Sequence, residues 1–116
     1  MIDGIGIDII EIGRIARLVE APRFCERVFT EAEREYCAAC VNAERYAGRF
    51  AAKEAVAKAL GCPLRWKDVE ILPTDAGPPR VRLHGAAAER LGGRRVLISI
   101  SHCESYAVAQ AMIVGA

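Results

Sequence analysis

The chain opens on alternation. Ile5, Ile7 and Ile9 are separated by Gly6 and Asp8 and preceded by Gly4, a period-two pattern that predicts a strand over residues 2–8 with one apolar face. The glycines leave its other face bare, so something can approach the backbone there. At Ile9 the period changes. Ile9, Ile12, Ile15 and Val19 fall at helical spacing, and a helix follows with little or no loop. Thr30-x-x-Glu33 is a capping box opening a second helix through about Cys40. Residues 41–46 are polar and predict a turn. The longest helical stretch runs from about Ala47 to Leu60. Ala52, Ala55, Val56, Ala59 and Leu60 form its apolar stripe, and Gly61 followed by Pro63 stops it. Arg49, Lys53, Glu54 and Lys58 are expected to spread over the outward side.

Residues 68–72 and the alternation of Val81 and Leu83 with Arg80, Arg82 and His84 predict a hairpin through the turn cluster Asp75-Ala76-Gly77-Pro78-Pro79. Gly85–Leu91 is Ala-rich and helical, stopped by Gly92-Gly93. Val96, Ile98 and Ile100 alternate with Leu97, Ser99 and Ser101 in a further strand. A tight turn at His102-Cys103-Glu104 joins it to a last one over residues 105–114. The order strand, three helices, hairpin, helix, hairpin gives an α+β class. A mostly antiparallel sheet carries helices packed on it, in a single domain spanning residues 1–116.

Composition changes this picture mainly by exclusion. Fifty-three per cent apolar and 27% charged residues are ordinary for a globular chain. A net charge of +1 argues against a general basic field for nucleic acid. No apolar run approaches the ~20 residues of a membrane-spanning helix. Asp3 near the start, with no basic stretch before it, gives no sign of a signal peptide. A soluble, cytoplasmic protein is expected, without nucleic-acid or membrane partners. Five scattered cysteines fit reduced thiols. Cys37-x-x-Cys40 lacks two further ligands at partner spacing, so structural zinc is not expected. A domain of this size buries only about two-thirds of its unfolded surface. A large ligand would therefore sit on a surface or between subunits, and oligomerisation is a reasonable expectation.

Three short pieces hold polar residues that a plain fold does not require: Gly6-Ile7-Asp8, Arg49 to Lys58, and Ser99-Ile100-Ser101-His102. Two readings of Asp8 stand. With Glu11 it resembles a capping box for the first helix; alternatively its carboxylate is a metal ligand at a strand end. Asp8 and Glu54 together could hold Mg²⁺, which takes one or two carboxylates and fills its shell with phosphate oxygens and water. Lys58, four residues from Glu54, could reach the same phosphate, or simply form a solvated pair with it. Arg14, Arg17, Arg23 and Arg27 make a basic patch that is either a solvated face or a dock for an acidic protein. No glycine-rich phosphate loop and no nucleophile with its base are present. The residues alone lead to a possible Mg²⁺–polyphosphate site.

Read together, Gly6-Ile7-Asp8, Phe50-x-x-Lys53-Glu54-Ala55-x-x-Lys58-Ala59-Leu60-Gly61 and Ser99-Ile100-Ser101-His102 with Tyr106-Ala107 resemble the holo-acyl-carrier-protein synthases. These are the short members of the 4′-phosphopantetheinyl transferase superfamily, whose fold is then expected. Ile12-Gly13-Arg14-Ile15, Phe29-Thr30-x-x-Glu33 and Gly77-x-Pro79 extend the resemblance over nearly the whole chain. It implies transfer of 4′-phosphopantetheine from coenzyme A to a serine of an acyl carrier protein, releasing adenosine 3′,5′-bisphosphate. It implies Asp8 and Glu54 as Mg²⁺ ligands and Lys58 on the pyrophosphate, with Arg49, Lys53 and His102 near the coenzyme A phosphates. The Arg14 segment matches the docking helix for the carrier protein, and the short members are homotrimers with sites between subunits. Glu54 is also the proposed base, directly or through a water. Two departures stand out: Gly77-Pro78-Pro79 replaces the usual Gly-Lys-Pro turn, so a basic contact near the nucleotide is either missing or supplied by Arg80, and the stretch from Tyr36 to Ala47 is short.

Overall fold

Strand β1 (Ile2–Glu11) runs three residues further than the alternation predicts. The computed structural model, which describes residues 1–115, gives the reason. β1 pairs antiparallel with β5 (Tyr106–Val114) all the way to Glu11 opposite Tyr106, so Asp8 lies inside a ladder, opposite Ala109. Helix α1 (Ile12–Leu18) starts only where that pairing ends, and no side chain caps it. Asp8 is therefore not a helix cap.

β4 (Arg95–His102) pairs with the other edge of β5, giving a three-stranded antiparallel sheet in the order β1-β5-β4. β2 (Val69–Leu72) and β3 (Arg80–Leu83) form the expected hairpin, as a second, two-stranded sheet rather than part of the first. Every pairing is antiparallel, and the α+β reading holds.

The helices differ from expectation at their ends. A helix over Pro22–Val28 (α2) is absent from the sequence reading; Pro22 sits at its first turn, where the missing N–H costs nothing. The Thr30–Glu33 capping box is present with both reciprocal bonds and opens α3 (Glu31–Ala38). The long helix α4 (Glu44–Leu60) begins three residues earlier than expected and ends on Gly61 in the left-handed conformation. A 3₁₀ turn at Trp66–Asp68 precedes β2, and α5 (Gly85–Leu91) follows β3.

The core lies between α4 and the inner face of the larger sheet. Ala52, Ala55, Val56, Ala59 and Leu60 are buried as the stripe predicts, against Ala107, Ala109, Ala111 and Ile113 of β5. The approach is closest at β1. A Cβ on Gly6 would overlap the Ala55 carbonyl oxygen outright and lie 2.8 Å from the Ala59 nitrogen; one on Gly4 would overlap the Ala59 carbonyl oxygen. The bare strand face is thus filled by the α4 backbone.

The opposite face of the sheet is open and carries exposed apolar side chains. Ile5, Ile7 and Ile9 are 64%, 62% and 63% exposed, and Leu97 of β4 is 49% exposed. Among the described residues no helix is long and apolar enough to cross a membrane.

Candidate active site

Close packing of α4 on β1 carries Asp8 to the side of α4 that bears Glu54 and Lys58. Lys58 Nζ donates to the Ile7 carbonyl at 2.9 Å and lies 3.4 Å from Asp8 Oδ1, joining residues fifty apart in the chain. The ammonium is about half exposed while Asp8 is largely covered, 55% against 18% for the two side chains. Lys58 is therefore free to turn outward to a solvent-borne anion. Glu54 is half-buried beside them. Burial, and then the Asp8 carboxylate, push the Glu54 carboxyl up, and Lys58 offsets this only in part. A carboxyl group raised by a neighbouring carboxylate marks a place where a cation would relieve the repulsion.

The donor set is informative. Among the described residues no three His, Cys, Asp or Glu side chains group to hold a metal by themselves. Two carboxylates with open positions around them suit Mg²⁺, which keeps water and phosphate oxygens in its shell, and do not suit a closed zinc site. The free cysteines Cys25, Cys37, Cys40, Cys62 and Cys103 offer no cluster. Burial pushes the Cys37 thiol up to about 12, which makes it inert.

A second group forms at the other end of α4. His102 ends β4 on its inner face, and its Nδ1 lies 3.5 Å from Glu44 Oε2. Arg49 is buried, its guanidinium carbon 4.3 Å from the centre of the Tyr36 ring, and Arg45 stands 4.1 Å from that ring. The three surround a cleft of about 220 Å³ that Ile100 and Gly48 also line. Arg49 Nε is buried without a hydrogen-bond partner. A cleft holding an unpartnered guanidinium nitrogen, a second arginine and a histidine is built for an anion. Tyr36, Glu44 and Arg45 were not singled out in the sequence; Arg45 stands four residues before Arg49 on one helix face, which an earlier helix start would have exposed. Ser99 and Ser101 belong to neither group. Their register, opposite Gln110 and Val108, puts them on the sheet's other face.

Lys53 corrects the outward-face expectation. It is 2% exposed and turned inward, with Nζ 2.8 Å from Glu33 Oε1 and donating to the Trp66 carbonyl at 2.9 Å and to the Val69 carbonyl. Its three N–H donors meet three acceptors, so none is left for a coenzyme A phosphate. Arg49 is buried as well, but its guanidinium still meets a cleft.

Arg14 and Arg17 of α1 and Arg23 and Arg27 of α2 are exposed. Arg23 and Arg27 border one shallow surface hollow with Phe24 and Glu26.

Comparison with known proteins adds a family to this geometry. Residues 4–111 match the model of the 4′-phosphopantetheinyl transferase superfamily. The chain is 46% identical over 123 residues to the holo-[acyl-carrier-protein] synthase of Koribacter versatilis (strain Ellin345), covering 97% of this chain and 98% of that one. It is 50% identical over 120 residues to the synthase of Alkaliphilus metalliredigens (strain QYMF), with the same coverage. The fold is similar to the crystal structure of a holo-(acyl-carrier-protein) synthase from Bacillus anthracis in complex with CoA (3′,5′-ADP). There the TM-score is 0.86 at 37% identity, over 100% of this chain and 99% of that one. It is also similar to the Helicobacter pylori synthase in complex with coenzyme A, with a TM-score of 0.84 at 30% identity, over 94% and 98%.

Proposed function

The chain belongs to the holo-[acyl-carrier-protein] synthases of the 4′-phosphopantetheinyl transferase superfamily, and from that premise we propose how its residues divide the work. The reaction transfers 4′-phosphopantetheine from coenzyme A to a serine of an apo acyl carrier protein, a step that serves fatty acid biosynthesis. The observation that carries the assignment of roles is the convergence of Asp8, Glu54 and Lys58 where α4 crosses β1.

Asp8 and Glu54 would hold Mg²⁺. When bound there, Mg²⁺ offsets the charge of the pyrophosphate and of the departing phosphate. Lys58, whose ammonium is about half exposed, turns from Asp8 to a pyrophosphate oxygen, exchanging one anionic partner for another. The serine oxygen attacks the phosphorus of the pantetheine-side phosphate. The P–O bond to the nucleotide half breaks, and adenosine 3′,5′-bisphosphate leaves with the electron pair. Glu54, beside the reacting phosphate in this reading, would accept the serine proton directly or through a water. Because phosphoryl transfer asks mainly for position and charge, no covalent intermediate on the chain is needed. Arg49, Arg45 and His102 take a further coenzyme A phosphate in the second cleft, Glu44 yielding His102 to it. Pro78 leaves the hairpin turn without the usual lysine, and Arg80, exposed two residues on, is the substitute cation. The test is the mass of an apo carrier protein incubated with this protein, coenzyme A and Mg²⁺. Gain of one phosphopantetheine is expected; release of inorganic phosphate with an unmodified carrier protein would overturn the reading.

Carrier proteins for this chemistry are acidic docking partners in this reading, and the exposed arginines of α1 and α2 suit carboxylates. Arg14→Ala is expected to raise the KM for carrier protein several-fold and to leave the KM for coenzyme A unchanged. The difference from the parent should shrink as salt rises. Equal carrier-protein kinetics at low and high salt would count against docking at Arg14.

The open apolar sheet face supports a homotrimer. Ile5, Ile7 and Ile9 of β1 and Leu97 of β4 lie exposed on one face of the sheet, and grouped exposed apolar side chains mark interaction surfaces. Light scattering is expected to return three times the chain mass, and Ile7→Lys to return the mass of one chain. A parent protein that is monomeric at assay concentration would remove the trimer from the proposal. A cytoplasmic location agrees with the unpaired thiols.

A further inference from the structure

Beside Glu54 runs a groove of about 240 Å³. Glu54 and Ala57 of α4 form one wall; Pro63, Leu64, Trp66 and Val69 form the other. The two walls are joined weakly by backbone. Past Cys62, whose nitrogen donates to the Ala57 carbonyl at 3.3 Å, no backbone hydrogen bond ties residues 63–69 to α4 among the described residues. Two α4 side chains make the connection: Phe50 stacks on Trp66, and Lys53 supplies the hydrogen bonds. Lys53 reaches from α4 to the carbonyls of Trp66 and Val69, and is itself held by Glu33. Glu33 is anchored in turn: its carboxylate accepts from Thr30 N at 2.9 Å and from Ile71 N at 2.8 Å. Thr30 donates to Glu70, whose other oxygen meets His84 at 3.1 Å. A chain of polar contacts thus runs from α3 through Lys53 to the hairpin.

This arrangement is costly for a purely structural tie. A lysine and a glutamate both removed from water rarely beat apolar residues of the same volume. What the pair supplies instead is direction, since each contact has a fixed partner and length. Lys53 is also the immediate neighbour of Glu54. A turn of α4 about its axis that loosened Lys53 would swing Glu54 relative to Asp8.

We propose that Lys53, with Glu33 as its counter-ion, is a positioning residue that locks the 66–69 wall onto α4 and so fixes both the groove and the direction of Glu54. The inference rests on the assignment of Glu54 above and extends it to a residue that touches neither substrate nor metal.

Two variants test it: Lys53→Met, and Lys53→Met combined with Glu33→Gln, which removes the uncompensated buried carboxylate that the single change leaves behind. Trp66, the one tryptophan of the chain, is half-buried in the groove wall and stacked on Phe50 with ring centres 5.0 Å apart. Its emission reports the wall without any catalysis. In the folded double variant, acrylamide quenching of Trp66 is expected to rise and kcat to fall by about 10–100-fold. The Mg²⁺ concentration at half-maximal rate is expected to increase, with the KM for carrier protein unchanged. A double variant with parental quenching and parental kcat would overturn the proposal, since the pair would then serve stability alone. If the parent protein transfers no phosphopantetheine, the functional reading fails by itself, and the quenching comparison still decides whether Lys53 holds the wall.

Discussion

Asp8→Ala is expected to lower kcat for carrier-protein modification by roughly 10²–10³-fold, the range found when one preorganised electrostatic contact to a reacting centre is removed. The fold should not explain the loss. Asp8 sits in β1 opposite Ala109, contributes no apolar surface to the core, and has the exposed Lys58 as its charged partner. A 3.4 Å pair with its ammonium half in solvent is worth about 1 kcal/mol or less, so the melting temperature should stay within a few degrees of the parent. Charge balance should change in a recognisable way. Without Asp8 the Glu54 carboxyl loses one of the two influences that raise it, and only burial remains against Lys58. Glu54 then ionises more readily yet holds a cation alone. The half-saturating Mg²⁺ concentration should rise, and excess Mg²⁺ should recover part of the rate. The measurement is initial rate against Mg²⁺ at saturating coenzyme A. Full activity at limiting Mg²⁺ would remove Asp8 from the metal site.

Period alone located Asp8 and Glu54 on elements but could not say that they meet. Their meeting depends on Gly4 and Gly6, whose spacing the sequence displays and whose purpose appears only when the Ala55 and Ala59 carbonyls lie against them. Lys53 illustrates the limit. It and Glu54 are neighbours some 100° apart on the same helix, and nothing local distinguishes an inward lysine from an outward one. The difference comes from Glu33, twenty positions earlier, and from two carbonyls beyond the end of the helix.

Ends of elements were misjudged for related reasons. The start of α1 is set by pairing between β1 and β5, and that partner strand lies almost a full chain length away. At the start of α4 the N-cap residue is Ala43, and Glu44 N donates instead to Asn42 Oδ1 at 3.0 Å, one position off the usual pattern; with that start went the early view of Arg45 and Glu44 around His102. Where a local device exists, as with Thr30 and Glu33, the boundary was legible at once. Pro22, in the first turn of α2, is the local signal that marks the start of that helix.

Gly6→Ala should expose the dependence of the site on that crossing. The added Cβ meets main chain on α4, not the end of a flexible side chain, so α4 must move away from β1 or the strand must bend. Overpacking of this kind costs about 1–3 kcal/mol, and rigid backbone on both sides puts it at the upper end. For a domain near this size that corresponds to a fall of roughly 10–20 °C in melting temperature. Gly93→Ala is the matched control. Nothing lies within 4 Å of its Cβ, and no change beyond about 0.5 kcal/mol is expected. The kinetic consequence separates this variant from a merely unstable one. Asp8 is two residues along the same strand face, and Glu54 precedes the Ala55 carbonyl that must yield, so the forced separation lies between the two carboxylates. Well below its melting temperature, folded Gly6→Ala should still need more Mg²⁺ than the parent for half-maximal rate, while its KM for carrier protein stays the same. A parental melting temperature would show that the crossing is looser than the structure has it. A lowered melting temperature with parental Mg²⁺ dependence would show that Asp8 and Glu54 do not act as one site.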